Sequence, residues 1–373
     1  MNGSGHPHGS HSHSHDEAEP NHGHSHSGAH EHLHGHGAGH SHGRGLRALL
    51  ASVFGHSHDA ADSVDSALEA SAQGIRAIKV SLLALLATAG IQVVIVAISG
   101  SVALLADTIH NFADALTAVP LGIAFWIGRR KPNDRYTYGY GRAEDLAGIA
   151  IVLTIAASAA FAGWEAVQRL VDPREMTHVG WVAAAGVVGF AGNELVALYR
   201  IRVGRAIGSA ALVADGLHAR TDGLTSLAVV LGAAGVAAGW PRADAVVGLL
   251  ITVAILVILR GAARDIYRRL MDSVDPELVD KVRGTLAASP GVEGVGAVRI
   301  RWVGHELHAE AEIVANCELS VAEGHAIGEE AHHRLLHAIP RLARATIHTN
   351  PCNHRGDVHH GVTAHHFGAE SQG

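Results

Sequence analysis

Residues 100–117 read GSVALLADTIHNFADALT, and residues 208–225 read GSAALVADGLHARTDGLT. The skeleton G-S-x-A-L-x-A-D-x-[IL]-H-x-x-x-D-x-L-T occurs in both, each time with one histidine and two aspartates inside apolar sequence. On a helix, residues four apart share a face one turn apart, so His110 converges with Asp114, and His218 with Asp222. Asp107 and Asp215 lie three residues earlier on the same faces, where they flank the two pairs. Two imidazole nitrogens and two carboxylate oxygens make a tetrahedral donor set that suits a divalent ion of zinc's size and borderline softness. Calcium or magnesium would call for more oxygens and no imidazole. The alternative is that these polar groups only hydrogen-bond between helices.

The elements that must position these groups are apolar runs near the ~20 residues that span a bilayer. Six are expected, at about residues 77–99, 102–127, 145–168, 178–199, 207–237 and 243–263. An aspartate near the bilayer centre costs roughly 2.5–3.5 kcal/mol on insertion scales. Asp107, Asp114, Asp215 and Asp222 must therefore face one another, water or a cation, and intramembrane ionisable residues are functional by default. Arg129, Arg130, Lys131, Arg135 and Arg142 follow the second run; Arg200, Arg202 and Arg205 follow the fourth; Arg264, Arg268 and Arg269 follow the sixth. The positive-inside bias then puts both termini in the cytoplasm, and a cell inner or plasma membrane is the expected location. Arg220, two residues past His218, points away from the His218 face, and Glu194 is its expected ion-pair partner.

Composition agrees with close-packed helices in lipid: few aromatics and 44 glycines among many Ala, Val and Leu. The net charge of −7 gives no basis for nucleic-acid binding, and two cysteines, Cys317 and Cys352, exclude a disulfide framework. Of 31 histidines, 16 precede residue 60. Residues 1–72, rich in His, Gly and Ser, cannot bury enough apolar area to offset ordering entropy and are expected to be a disordered tail. Residues 75–268 form the expected six-helix transmembrane domain. Residues 272–352 alternate between helical and strand periodicities in the order helix, two strands, helix, strand, with a tight turn near Gly304. That pattern predicts an α+β domain of the ferredoxin-like kind. Residues 353–373 are a loose His-bearing tail.

With these residues in order, the chain resembles the cation diffusion facilitator family of zinc/proton antiporters over residues 75–352. The resemblance is carried by the paired motifs, by YGYGRAEDLA after the second run and by IHTNP at the end of the α+β segment. It implies a zinc transport site made of His110, Asp114, His218 and Asp222, and a homodimer joined through the C-terminal domain. It also implies a cytoplasmic metal site, for which His308, His325 and His348 match while Glu293 replaces a histidine and Asn350 an aspartate, so a weakened or single-metal site is expected. An accessory loop site is expected to be absent, because Tyr136 and Tyr140 stand at its histidine positions.

The function these readings give is export of Zn2+ in exchange for H+ through the lipid bilayer, with no organic cofactor. Imidazole titrates near neutrality, so proton and metal compete for it. Cobalt, nickel and cadmium are alternative substrates. An intramembrane metalloenzyme would need an open coordination position and a general base, and four paired ligands leave no opening. The histidine-rich head either gathers metal before transfer or is a passive solvated tail.

Overall fold

The computed structural model describes residues 61–99, 118–172, 179–240 and 242–352, together with Thr108, Phe112, Leu116 and His366. Among these residues six helices precede the α+β segment: α1 (Ala61–Ser99), α2 (Ala118–Gly128), α3 (Arg142–Val171), α4 (Val179–Ile207), α5 (Ala210–Ala237) and α6 (Ala243–Leu270). Helices are what apolar runs of this length must become in lipid, where each backbone N–H and C=O has to be satisfied within the segment. Four are long and apolar enough to cross a membrane: Leu68–Ile98 within α1, and α3, α4 and α6. Their exposed side chains, among them Leu83, Leu153, Phe161, Leu195 and Leu250, form the kind of oily exterior that a bilayer covers.

α5 has a different composition and a different place. It carries Asp215, Arg220 and Asp222, and it is enclosed by its neighbours, packing chiefly on α4 and also on α3 and α6. Small residues permit the closeness of α4 and α5. A Cβ on Gly216 would lie 2.7 Å from Ile201 Cγ1, and one on Gly204 would lie 2.8 Å from the Val213 nitrogen. The link between the two helices is a single tight turn. Gly208 takes φ +77°, a region that favours glycine, and the Ser209 hydroxyl accepts a bond from the Leu212 N–H at 3.0 Å to cap α5.

The C-terminal segment folds as α7 (Pro276–Ala287), β1 (Gly294–Val303), β2 (Glu306–Ala315), α8 (Val321–Ala338) and β3 (Leu342–Pro351). The expected order of elements is present. Asp275 caps α7 with Pro276 in its first turn, and Ser320 and Glu323 form a capping box on α8. The sheet order is β1-β2-β3, with β1/β2 antiparallel and β2/β3 parallel. A parallel return needs a crossover, and α8 supplies it. One face of β2 (Leu307, Ala309, Ala311, Ile313) packs on Val282 and Leu286 of α7 and Ala331 and Leu335 of α8. Each such Leu or Ile, fully buried, stabilises by about 1.5–3 kcal/mol.

Two features depart from the sequence reading. Helix α1 starts at Ala61, inside the segment that composition assigns to the polar tail; residues 61–72 contain Ala, Leu and Glu, strong helix formers, and Ser71 is buried against the C-terminal domain. Residues 1–60, the rest of that tail, lie outside the described residues, as do 353–365 and 367–373. Arg200 is not a loop cation. α4 continues to Ile207, and Arg200 is among the most buried side chains in the protein.

Candidate metal site in the membrane region

The face of α5 that turns inward carries Asp215, His218 and Asp222, at positions i, i+3 and i+7. All three are buried, His218 to 1% exposure. His218 Nδ1 lies 3.6 Å from Asp222 Oδ1, so one turn of helix brings the imidazole and the carboxylate of the motif side by side. Hydroxyls reinforce the backbone at both positions: Thr221 Oγ1 donates to the His218 carbonyl and Thr225 Oγ1 to the Asp222 carbonyl, each at 2.7 Å. His110, Asp114 and Asp107 lie outside the described residues. Among the described residues no group of three or more His, Cys, Asp or Glu side chains is gathered for a metal ion. His218 and Asp222 together offer one nitrogen donor and one carboxylate, half the number of donors in a tetrahedral set.

Asp215 has a partner that the sequence reading did not assign to it. Arg200 Nη1 on α4 lies 3.0 Å from Asp215 Oδ2, with both side chains at 1% exposure or less. The pair ties α4 to α5 one turn from His218. Nothing in the local pattern LYRIRVGR distinguishes Arg200 from Arg202 and Arg205 as the cation that turns inward; the distinction comes from the helix continuing past the apolar run. The expected Arg220–Glu194 pair is present, with bonds of 3.1 and 2.7 Å from Nε and Nη2.

The C-terminal residues are distributed over the sheet and α8. His308 pairs across the strands with Arg301 and Arg344, and its Nε2 lies 3.8 Å from Glu306 Oε2. His348 pairs with Glu312, four register positions further along, or about 13 Å at 3.3 Å per residue. The sheet therefore does not bring His308 and His348 together within one protomer. Glu293 precedes β1, with its N–H on the Val314 carbonyl at 2.8 Å, and His325 is exposed on α8. Beside His348 is a cavity of about 330 Å³ whose walls include Arg299, Glu310, Glu312 and Thr346. Glu312, which the sequence analysis did not single out, is the carboxylate that the register places opposite His348. In the loop before α3, Tyr136 and Tyr140 stack with ring centroids 4.7 Å apart.

Comparison with known proteins places this geometry in context. Residues 78–271 match the family model described as the cation efflux transmembrane domain, and residues 274–352 match the cation efflux protein, cytoplasmic domain. The chain belongs to the cation diffusion facilitator family. It is 60% identical over 316 residues to a probable cation efflux system protein of Mycobacterium tuberculosis, covering 84% of this chain and 95% of that protein. It is 28% identical over 290 residues to the cation-efflux pump FieF of Serratia proteamaculans, covering 75% and 95%. It is 27% identical over 267 residues to the magnetosome protein MamB of a Magnetospira species, covering 71% and 87%. The protein is thus a membrane cation efflux transporter and not an enzyme.

Proposed function

We propose that this transporter exports Zn2+ from the cytoplasm in exchange for H+, with His218 and Asp222 of α5 holding the ion together with His110 and Asp114. The observation that carries this reading is the buried His218–Asp222 adjacency on a helix enclosed by membrane helices. A mixed imidazole and carboxylate set suits zinc's borderline softness. The same imidazole binds a proton near neutral pH, so a ligand that releases zinc can take up a proton. Alternating access moves the helices around a fixed site near the midplane. Asp107 and Asp215 flank the ligands, and the Asp215–Arg200 pair holds α5 against α4 while the ion changes sides.

The protein acts as a homodimer through the domain at 272–352, with both termini in the cytoplasm and the transmembrane domain in the cell inner or plasma membrane. Residues 1–72 gather zinc before transfer. His308, His325, His348 and Glu293 bind regulatory zinc only between protomers, since one sheet holds His308 and His348 apart.

Zinc flux into proteoliposomes under a pH gradient tests the central claim. Wild type moves zinc, and Asp222→Ala and Asp114→Ala do not. Unchanged flux in the variants would move the pathway elsewhere. Transport of cobalt, nickel or cadmium in place of zinc would keep the site and replace the substrate.

A further inference from the structure

A second cavity, of about 410 Å³, opens where α4, α5 and α6 meet the C-terminal domain. Its volume falls in the ~300–1,000 Å³ range of small-molecule sites. Four arginines line it from three parts of the chain: Arg205 at the end of α4, Arg268 and Arg269 on α6, and Arg341 just before β3. Two carboxylates, Asp265 and Asp275, also line it, so positive charge is in excess. Arg142, Arg169, Arg200, Arg220, Arg301 and Arg334 each meet a carboxylate within ion-pair distance. Among the described residues, none of the four arginines at this cavity does.

Their placement is enforced. Arg341 adopts φ 68°, a left-handed backbone uncommon for a residue with a Cβ. Its Nη2 donates to the carbonyls of Arg205 and Ala206 at 3.2 and 2.9 Å, which leaves its Nε and Nη1 edges for another partner. Burial pushes the Arg341 guanidinium below its ordinary value, with no carboxylate acting against that shift. Arg269 donates to the Gly304 and Gly208 carbonyls at 2.9 and 2.6 Å and lies 4.0 Å over the Trp302 ring. The N-terminus of the 28-residue α5 also opens here, at Ser209 and Ala210, and adds the positive end of its dipole.

We propose that this cavity binds a phosphate-bearing anion, either the headgroup of an anionic phospholipid or a free phosphate ion, and that the anion joins α4, α5 and α6 to the C-terminal domain. Guanidinium forks match phosphate oxygens in pairs, and basic pockets between membrane helices at the cytoplasmic side are suited to anionic headgroups. The site is separate from His218 and Asp222, and the proposal holds whichever divalent cation the protein carries.

The test uses delipidated full-length protein in neutral detergent. Thermal stability and bound-ligand mass are measured with phosphatidylglycerol, with phosphatidylcholine of the same chains, and with inorganic phosphate against chloride at matched ionic strength. Phosphatidylglycerol or phosphate is expected to bind at least 10-fold more tightly than its control. Phosphatidylglycerol binding that phosphate does not compete for identifies the headgroup as the source; phosphate binding alone identifies the free ion. Arg341→Gln, and the double variant Arg205→Gln/Arg268→Gln, are expected to lose that preference, while Arg264→Gln, outside the cavity, keeps it. The double variant keeps the test valid if Arg341→Gln does not fold, because Arg205 and Arg268 are exposed. The proposal is overturned if neither anion exceeds its control, or if Arg264→Gln lowers binding as much as the cavity variants.

Discussion

At the residue scale, one helix face holds two kinds of buried charge. His218 and Asp222 sit side by side, 3.6 Å apart, whereas Asp215 is already matched by Arg200. A buried ion pair is weak evidence of stability, but breaking one from a single side strands a charge in a low-dielectric interior. Asp215→Ala should therefore destabilise the protein by about 3–5 kcal/mol. Arg200→Met/Asp215→Leu should recover most of that loss, since apolar replacement of a whole buried pair is often neutral. Denaturation of the three proteins in the same detergent measures the difference. If the double variant is as unstable as Asp215→Ala, the pair is not what Asp215 contributes. The repeated motif made the aspartates and histidines legible in the sequence. It did not reveal Arg200, because a pairing between two helices leaves no periodic mark on either one.

At the element scale, local rules were the easiest to read. The α+β domain is legible because its strands alternate with period 2 and its helices open on recognisable caps. The β2/β3 register was not, since it is set by which residues fill the core under α7 and α8. That register separates His308 from His348 and puts Glu312 opposite His348 instead. The cap of α8 carries a pH dependence. Glu323 accepts from the Ser320 N–H and hydroxyl, each at 2.8 Å, and these bonds hold its carboxyl below the ordinary 4.5. A depressed carboxyl stabilises the folded form fully above its unfolded value, and that contribution is lost as pH falls through the depressed value. Hydrogen exchange at the first turn of α8, corrected for intrinsic rates, should speed up below pH 4.5 in wild type. Glu323→Gln, which keeps the shape without the charge, should show no such step. The same step in both proteins would assign the effect to another group.

At the scale of the whole molecule, the membrane helices and the C-terminal domain meet through the β1–β2 turn. Gly304, with φ +61°, lets the hairpin approach the Gly141 carbonyl so closely that a Cβ there would lie 2.8 Å from it. The next residue, His305, is buried between three membrane helices: Nδ1 is 2.8 Å from Glu144 Oε2 on α3, Nε2 is 3.2 Å from Ser71 Oγ on α1, and its ring is 5.9 Å from that of Phe125 on α2. The sequence marked Gly304 as a turn but could not say what the turn touches, because both partners are distant in the chain. A single side chain thus links the C-terminal domain to α1, α2 and α3, and a shift of that domain would act on those helices through it. Such a shift alters transport only if it favours one access state over the other. His305→Ala should therefore leave the C-terminal domain folded and zinc binding at the proposed membrane site unchanged. It should slow maximal flux by about 5-fold or more, the low end of ordinary coupling free energies. Glu144→Gln, which keeps a hydrogen bond to the ring but removes the charge, should fall between His305→Ala and wild type. Proteoliposome flux at saturating and limiting zinc separates the two parameters. An unchanged maximal rate in His305→Ala, with normal binding, would mean that the turn anchors the domain without taking part in the transport cycle.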